Sequence, residues 1–190
     1  MPRVAVVGDS ISAGSPLRDP DPAVRTRIAT PDERSQWQWW AAQGMTESDP
    51  RLEFRTSAVY GERTDQIARR LELVLGAADL LVVQGGINDI AQQRPVEEAA
   101  RNLEAMVERG REAGLAVAVP DVLPWPAGDA RAAGEIARLN ELIHAIAGVT
   151  HLPFHDTLAR AGFDWSDDGD HPSVEGYRLL GECAAPLLAG

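Results

Sequence analysis

Residues 4–14 read VAVVGDSISAG: a short aliphatic run that passes directly into Gly8-Asp9-Ser10. The aliphatic part predicts a buried β-strand over Arg3–Val7, stopped by Gly8. Three explanations compete for the loop that follows: a phosphate cradle, a nucleophile or a capped turn. The loop lacks the lysine of a GxxxxGK[ST] phosphate loop and the spacing of a GxGxxG dinucleotide loop. A phosphate-binding role is therefore disfavoured.

The rest of the chain alternates short apolar runs with longer helical patterns. Strands are predicted at 3–7, 52–58, 79–84, 115–120 and 150–154, and helices at 36–45 (capped by Ser35), 65–75, 95–113, 130–147 and 174–188 (capped by Ser173). This alternation predicts an α/β fold with a mainly parallel five-stranded sheet and helices on both faces. The Pro- and Asp-rich residues 15–34 are expected to form a long surface loop, a candidate lid.

Composition limits the classes of function. With 190 residues, 44% of them hydrophobic, the chain is expected to form one domain over 1–190. A net charge of −11 argues against nucleic-acid binding, which needs clustered Lys and Arg. Cys183 is the only cysteine, so no intrachain disulfide or cysteine zinc cluster forms. No run reaches the roughly 20 apolar residues of a membrane span, and no apolar leader is evident. We expect a cytoplasmic protein without membrane insertion.

Polar residues follow several predicted strands and should meet at one edge of the sheet. A serine is a nucleophile only when a base within hydrogen-bond reach takes its proton, and that base needs an orienting carboxylate. Of four histidines, only His171 lies in a loop three residues after an aspartate, Asp168, and just before a helix. We therefore predict His171 as base and Asp168 as its orienting acid.

The developing oxyanion needs hydrogen-bond donors. The backbone N–H groups of Ser10 and Gly61 and the side-chain amide of Asn88 are the candidates. Taken singly, Asn88, Gly61 and Asp168-Gly169 are also ordinary turn residues. Their order along the chain, Ser, Gly, Asn and then His, with each residue after a predicted strand or before a helix, favours the nucleophile explanation over the capped turn.

Four segments together resemble the blocks of the GDSL, or SGNH, hydrolase family: GDSI at 8–11, Gly61 in VYGERT, GGIND at 85–89 and DGDHPS at 168–173. The resemblance spans Gly8 to Ser173. It implies a three-layer α/β/α sandwich, flavodoxin-like, and a serine esterase acting on acyl esters or thioesters with no metal or other cofactor. It also implies Ser10 as nucleophile and oxyanion donor, Gly61 and Asn88 as the other oxyanion donors, and Asp168 and His171 as the acid and base.

The chain departs from this family at a few positions. Ile11 stands where leucine is usual, and Thr56 and Ser57 stand where an asparagine is frequent. Asp167 and Asp170 flank Asp168, but the spacing of three residues to the histidine favours Asp168. Asp9 is expected to brace the loop rather than transfer protons.

Three residues are candidates for the walls of the substrate pocket: Leu17 in the long loop, Trp125 after the fourth strand, and Trp165 near Asp168. For the tryptophans at 37, 39 and 40, core packing is favoured. The sequence thus predicts hydrolysis of a small-molecule ester with a small to medium acyl or aryl group. Sugar O-deacetylation, thioester cleavage, acyl transfer and a non-catalytic binding domain stay as alternatives.

Overall fold

A single parallel sheet of five strands forms the centre of the protein. The structure, a computed structural model, describes residues 1–14, 33–44, 51–76, 78–162, 165–166 and 168–190. The strands are β1 (Arg3–Gly8), β2 (Glu53–Ala58), β3 (Leu80–Val83), β4 (Ala116–Pro120) and β5 (Thr150–Leu152), in the spatial order β2-β1-β3-β4-β5. The order reverses between β1 and β3, and the crevice at such a reversal is where α/β sheets place their sites.

The three central strands β1, β3 and β4 are buried on both faces, and helices cover the sheet on two sides. The edge strand β2 has no buried residue. Alternate residues of β1 face opposite layers: Ala5 and Val7 belong to one apolar cluster, and Val4 and Val6 to the other. This is the predicted three-layer α/β/α sandwich, with a mainly parallel five-stranded sheet.

Eight α-helices complete the described part of the chain. They are α1 (Ser10–Ala13), α2 (Trp37–Gln43), α3 (Thr64–Ala68), α4 (Ile87–Ala91), α5 (Val96–Glu112), α6 (Ala132–His144), α7 (Phe154–Arg160) and α8 (Val174–Ala189). The first cluster packs against α3, α5 and α6, and the second against α2, α7 and α8. Two 3₁₀ turns are also present: Glu33–Ser35 precedes α2, and Leu71–Leu73 follows α3.

Several predicted boundaries were wrong. The helix predicted at 65–75 ends at Ala68 and continues as a turn and a 3₁₀ segment. Ile67, Leu71 and Val74 are nevertheless all buried, because residue spacing records which side chains face the core and not which hydrogen bonds the backbone makes. The strand predicted at 150–154 ends at Leu152, since Pro153 follows it and Phe154 begins a helix.

The two predicted helix caps had different outcomes. Ser173 caps α8 as predicted, its hydroxyl oxygen accepting from the Gly176 N–H at 3.4 Å. Ser35 does not cap α2: it lies in a 3₁₀ turn and its hydroxyl donates to the Gly14 carbonyl at 3.3 Å, while Gln36 takes the N-cap position. Most of the predicted 15–34 loop, residues 15–32, lies outside the described residues.

Candidate active site

The loop after β1 presents Ser10 as the first residue of a one-turn helix. Asp9 caps that helix: its Oδ1 accepts from the Ile11 N–H at 3.0 Å and from Gln84 Nε2 at 2.8 Å. Gln84 Oε1 in turn accepts from the Asp9 N–H at 3.1 Å and the Ser12 hydroxyl at 2.9 Å. Burial raises the pKa of Asp9, against these hydrogen bonds, which lower it. Asp9 therefore holds the loop, in line with the bracing role expected from sequence.

Ser10, His171 and Asp168 form a continuous chain of contacts. Ser10 Oγ lies 2.9 Å from His171 Nε2, and His171 Nδ1 lies 2.6 Å from Asp168 Oδ2. A carboxylate accepts hydrogen bonds only, so Nδ1 carries the proton and Nε2 is free to accept from the serine hydroxyl. His144 also contacts a carboxylate, Asp121 at 2.7 Å, but His171 is the histidine that reaches Ser10.

Asp168 is held by its own turn as well as by His171. Its Oδ1 accepts from the Ser166 hydroxyl at 2.7 Å and from the backbone N–H groups of Asp170 and His171 at 2.9 and 3.0 Å. Gly169 has a φ of +68°, a conformation that glycine adopts without a Cβ penalty, and this closes the turn. Burial works against ionisation of Asp168, yet these hydrogen bonds outweigh it and lower its pKa. Asp168 is therefore the negative partner that a protonated imidazole needs.

Gly61 and Asn88 lie on the same cleft as Ser10 and His171. This cleft has a volume of about 270 Å³, and Tyr60 and Trp125 are also among its lining residues. Gly61 has a φ of +72°, and its carbonyl accepts from Gln92 Nε2 at 3.0 Å. Asn88 Nδ2 donates to the Glu62 carbonyl at 3.1 Å. The loop that carries Gly61 is thus held by two side chains of the segment that follows β3.

Arg70 is a supporting residue that sequence reasoning missed. Its guanidinium donates to the Gly8 carbonyl at 3.0 Å and to the Ser57 carbonyl at 2.7 Å, at the carboxyl ends of β1 and β2. It also forms an ion pair with Glu62, one residue after Gly61, and both side chains are less than one-fifth exposed. One planar group therefore joins the nucleophile strand to the loop of Gly61. In the sequence, Arg70 shows only as half of a basic pair.

Replacing Arg70 with lysine is expected to destabilise the protein by about 1–3 kcal/mol, because an ammonium cannot serve two carbonyls and a carboxylate in one plane. The free energy of unfolding in urea measures this. Arg109→Lys is the matched control, because Arg109 makes a two-bond ion pair with Glu72 on an exposed surface. The control is expected to change stability by less than about 0.5 kcal/mol. Equal losses in both variants would contradict the role given to Arg70.

A contact between Asp89 and Thr64 also holds the segment of Asn88 in place. Asp89 accepts from the backbone N–H of Thr64 at 2.9 Å and from its hydroxyl at 2.8 Å. Asp89 is buried, so this contact ties α4 to the start of α3. Sequence reasoning used the neighbouring Asn88 and assigned nothing to Asp89, although a carboxylate beside a buried strand end is a visible signal.

The three predicted wall residues have different positions. Trp125 lines the cleft, and its Nε1 donates to Asp170 Oδ1 at 2.6 Å. Trp165 packs against the second apolar cluster and bridges Pro172 through its backbone, and it is not among the residues lining the cleft. Leu17 lies outside the described residues. Asp170, the other aspartate near Asp168 in the sequence, contacts Trp125. Asp167, like Leu17, lies outside the described residues.

Metal-binding clusters and membrane-spanning helices are both absent from the described residues. Within these residues, no group of three or more His, Cys, Asp or Glu side chains is arranged to hold a metal ion. In the same part of the chain, none of the helices combines the length and the apolar character needed to cross a bilayer.

Comparisons with known proteins agree with this architecture. The chain is similar in fold to a member of the lipolytic protein G-D-S-L family from Veillonella parvula, with 18% identity, a TM-score of 0.79 and coverage of 98% of this chain and 97% of that one. TesA gives 21% identity, a TM-score of 0.77 and coverage of 98% and 97%. Axe2, an acetylxylan esterase from Geobacillus stearothermophilus, gives 13% identity, a TM-score of 0.77 and coverage of 100% of this chain and 94% of that one.

A search of curated proteins found no match. The model of the GDSL-like lipase/acylhydrolase family, in contrast, matches residues 6–179, which is most of the chain. That span includes Ser10, the cleft and the turn of Asp168. The chain therefore belongs to the GDSL-like lipase/acylhydrolase family and is a hydrolase.

Proposed function

We propose that the protein is a serine esterase that hydrolyses carboxylic esters of small to medium acyl or aryl groups. The observation that carries the proposal is the chain of contacts from Ser10 Oγ to His171 Nε2 at 2.9 Å and from His171 Nδ1 to Asp168 Oδ2 at 2.6 Å. These atoms are ordered as nucleophile, base and orienting acid. The cleft beside them gives a small ester access to Ser10.

In the first half of the reaction, Ser10 Oγ attacks the ester carbonyl carbon while His171 Nε2 takes the hydroxyl proton. Asp168 stabilises the imidazolium, which carries a proton on both nitrogens. The carbonyl oxygen becomes an oxyanion, for which the donors are the backbone N–H groups of Ser10 and Gly61 and the amide of Asn88. When the carbon–oxygen bond to the leaving group breaks, His171 gives its proton to the departing alcohol, and the acyl group stays on Ser10.

In the second half, water replaces the alcohol. His171 Nε2 takes a proton from the water as its oxygen attacks the acyl carbon, and the same oxyanion donors serve again. The intermediate collapses with return of the proton to Ser10 Oγ. The products are the carboxylic acid and the free enzyme.

Replacing Asn88 with alanine is expected to lower kcat by about 10²- to 10³-fold with little change in KM, because a donor to the oxyanion acts mainly in the transition state. Steady-state kinetics with p-nitrophenyl acetate measures both constants. Gln92→Ala is the control for a loosened loop, since Gln92 holds the Gly61 carbonyl. A kcat loss in Gln92→Ala as large as in Asn88→Ala would assign the effect to the loop and not to the Asn88 amide.

Sugar O-deacetylation and thioester cleavage are the second candidates, and the same side chains would perform them. What favours them is similarity in fold to Axe2, described as an acetylxylan esterase, and to TesA. A panel of p-nitrophenyl esters, acetylated xylooligosaccharides and acyl-CoAs separates simple ester hydrolysis, sugar deacetylation and thioester cleavage. We expect the highest kcat/KM with the simple esters, and a value more than tenfold higher for an acetylated sugar or an acyl-CoA would replace the proposal.

Two further alternatives, acyl transfer and binding without catalysis, can be separated from hydrolysis by experiment. An acyltransferase would pass the acyl group to an added alcohol faster than to water, which product analysis with methanol or butanol detects. A non-catalytic binding domain would form no adduct with a fluorophosphonate probe.

A cytoplasmic location and a single domain over 1–190 stay predictions. The single sheet, with an apolar cluster on each face, supports the single domain.

A further inference from the structure

Two pockets meet at Trp125 and Asp170. The first is the cleft of about 270 Å³ that Ser10 and His171 line. The second, here called the side pocket, has a volume of only about 10 Å³, and Val122, Leu123 and Phe154 are among its walls. A cavity of about 10–15 Å³ on this scale admits one water-sized group. Trp125 and Asp170 line both spaces, so these two residues stand at the boundary between the cleft and the side pocket.

A hydrogen bond joins these two residues across the site. Trp125 Nε1 donates to Asp170 Oδ1 at 2.6 Å, and the two residues belong to loops 45 positions apart in the chain. The Gly128 N–H donates to the Trp125 carbonyl at 2.9 Å and fixes the turn that carries the indole. A Cβ placed on Gly169 would lie 3.3 Å from the Ala127 Cβ, so the loops also pack closely. The contact therefore ties the loop after β4 to the turn that carries His171.

The chemistry of the cleft decides which part of an ester faces the side pocket. The leaving alcohol must lie beside His171, which protonates it, and His171 lines the cleft but not the side pocket. The carbonyl oxygen must lie beside Gly61 and Asn88, which are likewise absent from the side pocket. The acyl chain is the remaining group, and Val122, Leu123 and Phe154 offer it apolar contacts. Gln84 and Asp121 also line the side pocket, but their polar groups bind Asp9 and His144.

We propose that the Trp125–Asp170 contact is a specificity determinant that limits the acyl group to about the size of acetyl. The proposal rests on the esterase function and assigns to these residues a role apart from the chemical step. Ile11 and Ile87 also line both pockets, so apolar side chains lie at the boundary between the cleft and the side pocket. A chain much longer than acetyl has to part the indole from the carboxylate, which costs a charge-assisted hydrogen bond.

The test compares p-nitrophenyl acetate, butyrate and hexanoate, which share a leaving group. For the wild type we expect kcat/KM to fall from acetate to hexanoate. Trp125→Ala and Asp170→Ala are expected to raise the ratio of hexanoate to acetate by about tenfold or more, the scale on which pockets discriminate small apolar groups. Trp125→Phe, which keeps a ring but lacks the donor, should raise the ratio less. Asp170→Asn, which keeps an acceptor, should stay near the wild type.

Controls keep the outcomes separate. Trp39→Phe replaces a ring in α2 that lines neither pocket and should leave the ratio unchanged. Asp170 is exposed, so Asp170→Ala tests the contact even if Trp125→Ala does not fold. An active wild type that prefers hexanoate, or a ratio that changes less than twofold in Asp170→Ala, overturns the size limit and leaves the esterase proposal standing. A folded wild type that cleaves no ester overturns the proposed function, and the size limit with it.

Discussion

Replacing Ser10 with alanine is expected to reduce kcat toward p-nitrophenyl acetate by about 10⁴- to 10⁶-fold. Ser10 Oγ is the only atom of this residue in contact with His171 Nε2, so the substitution removes the nucleophile and leaves the neighbouring backbone donors. The side chain is buried but small, and the two apolar clusters of the described residues are built from other side chains. The melting temperature should therefore stay within a few degrees of the wild type.

Covalent labelling gives a second measurement of the same residue. A fluorophosphonate should add to Ser10 Oγ, and fragmentation of the modified peptide should place the mass on that residue. Ser12→Ala is the matched control, because Ser12 lies in the same one-turn helix but the partners of its hydroxyl are Gln84 and Trp37 rather than a histidine. Ser12→Ala should keep the label and Ser10→Ala should lose it. Full activity in Ser10→Ala on every substrate cleaved would refute the mechanism.

Replacing Asp168 with asparagine is expected to lower kcat by about 10⁴-fold, the loss expected when the orienting carboxylate of a Ser-His-Asp set becomes an amide. An amide nitrogen facing His171 Nδ1 donates a hydrogen bond and selects the tautomer with the proton on Nε2. That nitrogen then cannot accept the proton of Ser10. The amide oxygen can still accept from Ser166 and from the backbone of the turn, so the loop should keep its shape.

Asp170→Asn is the control for Asp168→Asn, because the two aspartates flank Gly169 and only Asp168 contacts His171. With acetate as acyl group, Asp170→Asn should lower kcat by less than tenfold. A loss in Asp170→Asn equal to that in Asp168→Asn would assign the effect to the charge of the loop and not to the orientation of the imidazole.

Stability should respond to pH as well. The folded-state pKa of Asp168 is below its ordinary value, so its ionisation stabilises the fold above the pKa of the unfolded chain. That contribution disappears as the pH falls through the folded pKa. Asp168→Asn should remove this part of the acid sensitivity, which urea unfolding at several acidic pH values measures.

The centre of the sheet was predictable because β1, β3 and β4 are short runs of apolar residues buried on both faces. The small helices were not: α1, α4 and α7 have four, five and seven residues, too few to show a helical period. Two of these helices begin within four residues of the ends of β1 and β3, at Ser10 and at Ile87. They position the predicted nucleophile and Asn88, so the sequence indicated these residues without indicating the turns that orient them.

The candidate site was predictable as a set of residues but not as a structure. Chemistry alone selects a histidine with a nearby aspartate as the partner of Ser10, and in the fold His171 lies within hydrogen-bond distance of both Ser10 and Asp168. Arg70 and Gln84 had no such signal. A lone arginine or glutamine in sequence is an ordinary polar residue until its partners, here strand carbonyls and Asp9, are known.

By itself, the sequence determined the alternation of strands and helices, the candidate groups for the chemistry, and their order along the chain. These follow from local burial patterns and from what proton transfer requires. Tertiary structure alone decided the strand order β2-β1-β3-β4-β5, which sets β1 beside β3 and so brings the loops of Ser10 and Asn88 to one crevice. It also decided that Asp170 turns away from His171 to meet Trp125, because contacts between distant loops depend on how the whole chain packs.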